Sequence, residues 1–229
     1  MLDIFQKYNE YYDDDCFIPR PQPTDFTLEY FKDKHGFGFF IDVGAHDGIT
    51  WNNTVALSDF LFWDGICIEA NPKVFNELVE HRINNTCLNI GSSDTNGQML
   101  FWKINGYAEM LSGFYDDYDS LHIDRIHRDI QQHGGDIEKI NIQVERLETT
   151  IDNYKYNHQK INQIDYLSID VEGAELKVLQ GLNLNKYRPI LISIEDNGYT
   201  TEPHEYLIGN KYKFLQKVAG DCFYESCIL

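Results

Sequence analysis

The chain has 229 residues, 42% hydrophobic and 24% charged, and carries a formal net charge of −18 at neutral pH. Such a length and composition suit one globular domain with a sizeable core. So negative a balance disfavours a nucleic acid partner, whose phosphates it would repel. The five cysteines are an odd number without C-x-x-C spacing, which speaks against a zinc site and for a reducing, cytoplasmic setting. Residues 1–12 are too polar for a signal peptide, and no stretch approaches the ~20 apolar residues of a membrane span. No internal repeat is visible.

Residues 1–35 mix aromatics with acids: Tyr8, Tyr11, Tyr12 and Asp13 to Asp15, then Pro19, Pro21 and Pro23. The prolines break any helix into two short pieces. This segment is expected to pack as an arm on the domain formed by residues 36–229, or to act as a lid. Its tyrosines would serve a sugar face or a homo-oligomer interface equally well.

Residues 37–43 read as a buried strand, an apolar run rich in aromatic and branched side chains. The run ends in Asp42-Val43-Gly44-Ala45-His46-Asp47-Gly48, where glycines permit a tight turn and close approach to a ligand. Thr50 is placed to cap a helix over residues 51–62. A second short strand, residues 65–68, ends in Glu69, about 20 residues beyond the loop, the spacing at which an acid receives ribose hydroxyls. Asn71 caps a helix that starts with Pro72 and runs over residues 73–82. Strand, glycine loop and helix make a nucleotide-binding corner. The loop reads G-x-x-x-G rather than G-x-G-x-x-G, and its acids would repel a pyrophosphate. They suit a ligand with an amino group, a sulfonium and ribose hydroxyls, which describes S-adenosylmethionine.

Residues 86–91 read as a third strand, followed by Ser92-Ser93-Asp94 and a hairpin turn, 94–97, into a strand over 98–102. Residues 103–140 are expected to form a substrate-facing insertion away from the sheet. His122, His127 and His133 fall there at irregular spacing without a metal-ligand pattern. Residues 141–145 alternate like a strand. Residues 164–169 form a buried-strand run ending at Asp170, and 173–181 a helix with its terminal glycine. A further strand, 189–194, ends in Glu195-Asp196-Asn197-Gly198. Two parallel strands thus deliver acids at their carboxyl ends, where doubly wound sheets bind ligands. Asp170, Asp196 and Asn197 form an all-oxygen trio suited to Mg or Mn. Such an ion would lower the pKa of a hydroxyl nucleophile. His204 is the first candidate for a general base, with Glu172 and Glu175 as the others. Residues 212–218 and 222–228 read as a closing hairpin.

Three blocks carry a family resemblance: Ile41 to Gly48, then Glu69-Ala70-Asn71-Pro72, then Ile164 to Glu175 with its Asp170-Val171-Glu172-Gly173-Ala174-Glu175 ending. Together they resemble the FkbM family of S-adenosylmethionine-dependent methyltransferases over residues 37–197. The resemblance implies an α/β, Rossmann-like class I methyltransferase fold. Its sheet has seven mostly parallel strands with the last antiparallel, and helices on both faces. It implies O-methylation, often of sugars or of hydroxyls on glycan-bearing products, a deoxysugar such as rhamnose being one possibility. It assigns Asp42, Gly44, His46, Asp47, Gly48, Glu69, Ala70 and Asp170 to the cofactor, and offers Ser93 and Asp94 as adenine contacts. The metal trio is similar to that of cation-dependent catechol and sugar O-methyltransferases. Two rival readings remain open: a nicotinamide oxidoreductase on the same sheet, and a cofactor-binding interaction module without turnover. The chain is also compatible with being one domain of a larger glycan-building protein.

Overall fold

A computed structural model describes residues 22–34, 38–154, 161, 163–196, 198 and 200–228. The chain builds two sheets. The larger has seven strands: β1 (Phe39–Val43), β2 (Asp64–Ile68), β3 (Thr86–Leu88), β8 (Tyr166–Ile169), β9 (Leu191–Glu195), β10 (Tyr212–Val218) and β11 (Asp221–Ser226). Their order is β10-β11-β9-β8-β1-β2-β3. All pairings from β3 across to β9 are parallel, and β11 enters antiparallel between β9 and β10. The expected mostly parallel sheet with an antiparallel last strand is therefore the fold observed.

Helices cover both faces because alternate residues of each strand point opposite ways. Ile41, Val43, Ile169 and Ile194 pack with α5 (Leu147–Asn153), α6 (Glu175–Gln180) and α7 (Glu202–Gly209). Phe40, Cys67, Tyr166 and Phe223 pack with α1 (Pro23–Phe31), α2 (Val55–Leu61) and α3 (Pro72–His81). Each fully buried Ile or Leu here contributes about 1.5–3 kcal/mol. Helix α1 starts at Pro23, which sits at its first turn rather than breaking it. Its Phe31 packs edge-on against Trp63, so the described part of the N-terminal segment is docked on the domain. The remaining residues of the arm, 1–21 and 35, lie outside the described residues.

The smaller sheet has the order β4-β7-β5-β6, from β4 (Gly91–Ser93), β5 (Gly97–Gly106), β6 (Gly113–Phe114) and β7 (Gly135–Arg146). Strands β5 and β7 form one antiparallel ladder from Gly97↔Val144 to Gly106↔Gly135. Between them runs α4 (Ser120–His133), capped by Asp119, whose carboxylate accepts from the His122 N–H at 2.9 Å. Trp102, Ile104, Leu111 and Ile126 close a small core of their own.

Several local expectations are corrected. The third strand stops at Leu88, and residues 91–93 belong to the second sheet. No hairpin joins β4 to β5, because β7 lies between them. Helix α2 begins at Val55, not residue 51: Asn52 Oδ1 accepts from the N–H groups of Thr54 and Val55, at 2.9 Å each. Thr50, the expected cap, is instead held by Asp47, which accepts from its N–H and its hydroxyl. The four cysteines among the described residues are free thiols. Among the described residues no helix is long and apolar enough to cross a membrane.

Candidate active site

The carboxyl ends of β1, β2 and β8 open into a cleft roofed by the second sheet. Its empty space, open mouth included, is about 670 Å³. One wall is Gly44, His46, Glu69 and Asn71; another is Asp170, Val171 and Glu172; Phe101, Met110 and Phe114 close the roof. Gly44 has φ +86°, and a Cβ there would lie 1.7 Å from the Asp170 carbonyl oxygen. Only glycine lets the loop pass so close to the end of β8.

Glu69 is buried and accepts from two backbone donors, His46 N–H at 2.9 Å and Asn71 N–H at 2.6 Å. It therefore fixes the loop while still facing the cleft. Burial raises its pKa, against those donors. Asn71 caps α3 by accepting from the Lys73 N–H at 3.1 Å. Its side-chain amide nitrogen is buried without a hydrogen-bond partner, as is the Ser92 hydroxyl. Both residues line the cleft. The His46 ring lines it too, with neither nitrogen hydrogen-bonded and Nδ1 3.6 Å from Asp47 Oδ1.

Several residues expected here lie elsewhere. Asp42 does not line the cleft. It is buried on the opposite face of the sheet, where it accepts from Asn52 Nδ2 at 2.8 Å and from the Thr54 hydroxyl at 2.7 Å. Arg82 donates to Asn52 Oδ1 and the Thr54 hydroxyl, completing a buried network behind the loop. Asp47 shapes the turn by accepting from the Ile49 and Thr50 N–H groups. Gly48 packs against Arg82 and Leu78 rather than the cleft. Ser93 is buried with its carbonyl against Gly181, and Ser92 takes the lining position expected of it. Arg146 donates to the Asp94 carbonyl. Ala70 lines the cleft as expected.

Asp170, Glu172 and Glu195 each offer an oxygen within 4.8 Å of the others. Burial and the neighbouring charges of Glu195 and Glu172 push the Asp170 carboxyl well above its ordinary range, and Glu172 rises likewise from burial and Glu195. Three carboxyls so close call for a proton or a cation among them. Glu195 stands where Asp196 was expected. Asp196 turns away to Lys217, 2.8 Å from its Nζ, and to the Gly198 N–H. Asn197 lies outside the described residues. Glu172 is held at φ +56°, an unfavourable backbone for a side chain of its size.

A second, larger cleft of about 1950 Å³, mouth included, adjoins this cluster. Asp170 and Glu172 line the first cleft and Glu195 the second, so the three carboxyls stand where the two meet. His204 lines the second cleft with Nδ1 3.1 Å from the Tyr224 hydroxyl. Glu175 also borders it, but its Oε1 accepts from the Gly173 N–H at 3.0 Å and holds the turn before α6.

The family profile for the methyltransferase FkbM domain matches residues 42–217. Among solved structures, methyltransferase FkbM from Methylobacillus flagellatus KT is similar at 14% identity and a TM-score of 0.51. The match covers 94% of this chain and 50% of that one, so this chain spans half the length of that protein. Precorrin-6y C5,15-methyltransferase from Geobacter metallireducens GS-15 is similar at 9% identity and a TM-score of 0.47, covering 93% of each chain. An RNA methyltransferase from Salinibacter ruber, solved with S-adenosyl-L-homocysteine, is similar at 11% identity and a TM-score of 0.39, over 91% of this chain and 92% of that one. No curated protein matches the sequence.

Proposed function

Since this chain belongs to the methyltransferase FkbM family, we propose that it transfers the methyl group of S-adenosylmethionine to a sugar hydroxyl of a glycan or glycoconjugate. The observation that carries this reading is the meeting of two clefts at one carboxyl cluster. The first cleft has the makings of a nucleoside site: Ala70, Phe101 and Phe114 around a base, with Asn71 Nδ2 and the Ser92 hydroxyl as unspent polar groups. Glu69 faces the ribose hydroxyls, and the Gly44 loop lets the methionyl part approach β8. The sulfonium and amino group carry positive charge, which the Asp170 side of the cleft favours.

The second cleft receives the acceptor. Its hydroxyl oxygen attacks the methyl carbon in line, the C–S bond breaks, and its electron pair stays on sulfur to leave S-adenosylhomocysteine. Positioning does much of the work in such a displacement. The hydroxyl proton passes to Nε2 of His204, whose Nδ1 is held 3.1 Å from the Tyr224 hydroxyl. The cluster of Asp170, Glu172 and Glu195 fits a hard divalent ion such as Mg or Mn, since all its donors are carboxyl oxygens within 4.8 Å of one another. When bound, that ion would orient the acceptor hydroxyl and lower its pKa.

Calorimetric titration with S-adenosylhomocysteine, with and without magnesium, tests the reading. Micromolar binding is expected, tightened or accompanied by a metal-dependent heat that Asp170→Asn removes. No binding under either condition would overturn the transferase assignment. Binding unchanged by metal, chelator and Asp170→Asn would remove the ion alone.

A further inference from the structure

We infer that the second cleft selects an acceptor bearing a protonated amino group, an amino sugar, and rejects anionic ones. The inference rests on the transferase reading above and names the class of its acceptor.

The first observation is charge. Asp117, Asp119, Glu175, Glu195, Asp196 and Glu202 line the cleft, and among its described lining residues Lys217 is the one ammonium. That ammonium is committed, with Nζ 2.8 Å from the Asp196 carboxylate. Glu175 is half-neutral near pH 7, its pKa pushed up to about 7 by burial. Discounting it and Asp117, whose charge Lys177 meets, and allowing two charges for a divalent ion at the carboxyl cluster, the cleft still carries a negative field. A low-dielectric wall focuses such a field into the opening. A sugar phosphate, a nucleotide sugar or a uronate would enter against it.

The second observation is independent of the charge count. Asp117 has a side chain only 3% exposed, and Lys177 occupies its Oδ1. Its Oδ2 has no hydrogen-bond partner. A buried carboxylate oxygen left without a donor is costly. Asp117 lies on the cleft wall, so a donor arriving with the acceptor can satisfy it. An ammonium is the strongest such donor, because the bond is then charge-assisted. The exposed Phe214 ring and the free side of Tyr118 supply aromatic surface on the same walls, suited to the apolar face of a pyranose and to a nearby cation.

The test uses the full chain loaded with S-adenosylhomocysteine. Three probes share one ring: methyl 2-amino-2-deoxyglucoside, its N-acetyl derivative and methyl glucuronoside, titrated by ligand-observed NMR. The amine is expected to bind about tenfold tighter than the N-acetyl form, and the carboxylate more weakly than either. Asp117→Asn should bring amine and N-acetyl form to within about threefold. Glu202→Gln, on the exposed rim and not dependent on core packing, should lower the amine's advantage about twofold. A carboxylate that binds as well as the neutral probe, an amine without advantage, or no amine binding below about 10 mM would each overturn the inference. Failure of S-adenosylhomocysteine to bind would overturn the transferase reading instead. The probe titrations then still decide the charge preference of the cleft on the unloaded chain.

Discussion

The two sheets of this molecule are stabilised differently. In the larger one, strands such as β2 and β8 are buried on both faces, and their runs are nearly all apolar. In the smaller one, β7 alternates exposed charge with a few inward side chains, and only Val144 on it is fully buried. The first sheet carries the loops that build the cleft. The second roofs the cleft through Phe101 and Phe114, which meet edge-on at 5.3 Å. A floor buried on both faces and a thinner roof fit the admission of cofactor and acceptor proposed above.

The sharpest way to break the floor is Gly44→Ala. The new Cβ would fall 1.7 Å from the Asp170 carbonyl oxygen, at a φ that L residues avoid. The loop must move, and binding of S-adenosylhomocysteine should fall by more than about 100-fold, with stability reduced by about 3 kcal/mol. Calorimetry and urea unfolding read the two effects separately. Tight binding in this variant would show that the close approach of the loop to β8 is dispensable.

Two core truncations sharpen the contrast. Ile41→Ala in β1 should cost about 2–5 kcal/mol and lower hydrogen-exchange protection across the whole larger sheet. Phe114→Ala removes a comparable or larger volume from the roof, at about 3–5 kcal/mol. Its effect should be confined to faster exchange in β5 and β7, with β1 and β8 still protected. Equal loss of protection in both sheets would mean that they unfold as one unit.

The same contrast governs what the sequence made legible. Buried parallel strands announce themselves as short apolar runs, so Asp170 and Glu69 stood out as the acids where those runs stop. The ladder of β5 and β7 showed only in part, at residues 98–102 and 141–145, because Lys103, Asn105, Glu138 and Lys139 interrupt the rest with the polar and charged side chains of an exposed face. Asp42 read as a ligand because its partners Asn52 and Thr54, and Arg82 which bonds to both of them, lie 10 to 40 residues away, beyond any local pattern. Ser92 was missed in favour of Ser93 because β4 is buried throughout, which erases the alternation that tells faces apart. Glu195 was recoverable. Ile169 pairs with Ile194 in the parallel register, so the next positions, Asp170 and Glu195, are neighbours, and Asp196 must point the other way.

A smaller effect separates the acid-rich floor from the roof by pH. Asp221, in β11, has its pKa pushed up to about 7 by burial and by the charge of Glu195, and Glu175 reaches about 7 through burial. Both acids are thus protonated in the folded chain at pH values where the unfolded chain has already ionised them. Their contribution to stability is full below about pH 4 and is lost as pH rises toward 7. Without ligands the urea midpoint should therefore be higher at pH 5 than at pH 8. Asp221→Asn should flatten that slope and gain about 1 kcal/mol at pH 8. A midpoint that rises from pH 5 to pH 8 would contradict the assignment. Asp47 acts in another window: its hydrogen bonds hold its pKa low, so its contribution disappears only under strong acid.

The smallest effect lies at Asn71, where floor and proposed cofactor site share one side chain. Its Oδ1 accepts from the Lys73 N–H and caps α3, while Nδ2 is buried on the cleft wall without a partner. The two roles separate by substitution. Asn71→Ser keeps a capping oxygen, so stability should change by only about 0.5 kcal/mol, whereas Asn71→Ala should cost about 1 kcal/mol. Both remove the amide donor, and both should weaken S-adenosylhomocysteine binding by about the same factor, three- to tenfold for one hydrogen bond. If binding instead follows stability, weak in the alanine variant and intact in the serine one, Asn71 serves the cofactor only by holding the helix start beneath Glu69. Equal weakening at unequal stability would make the amide a direct contact.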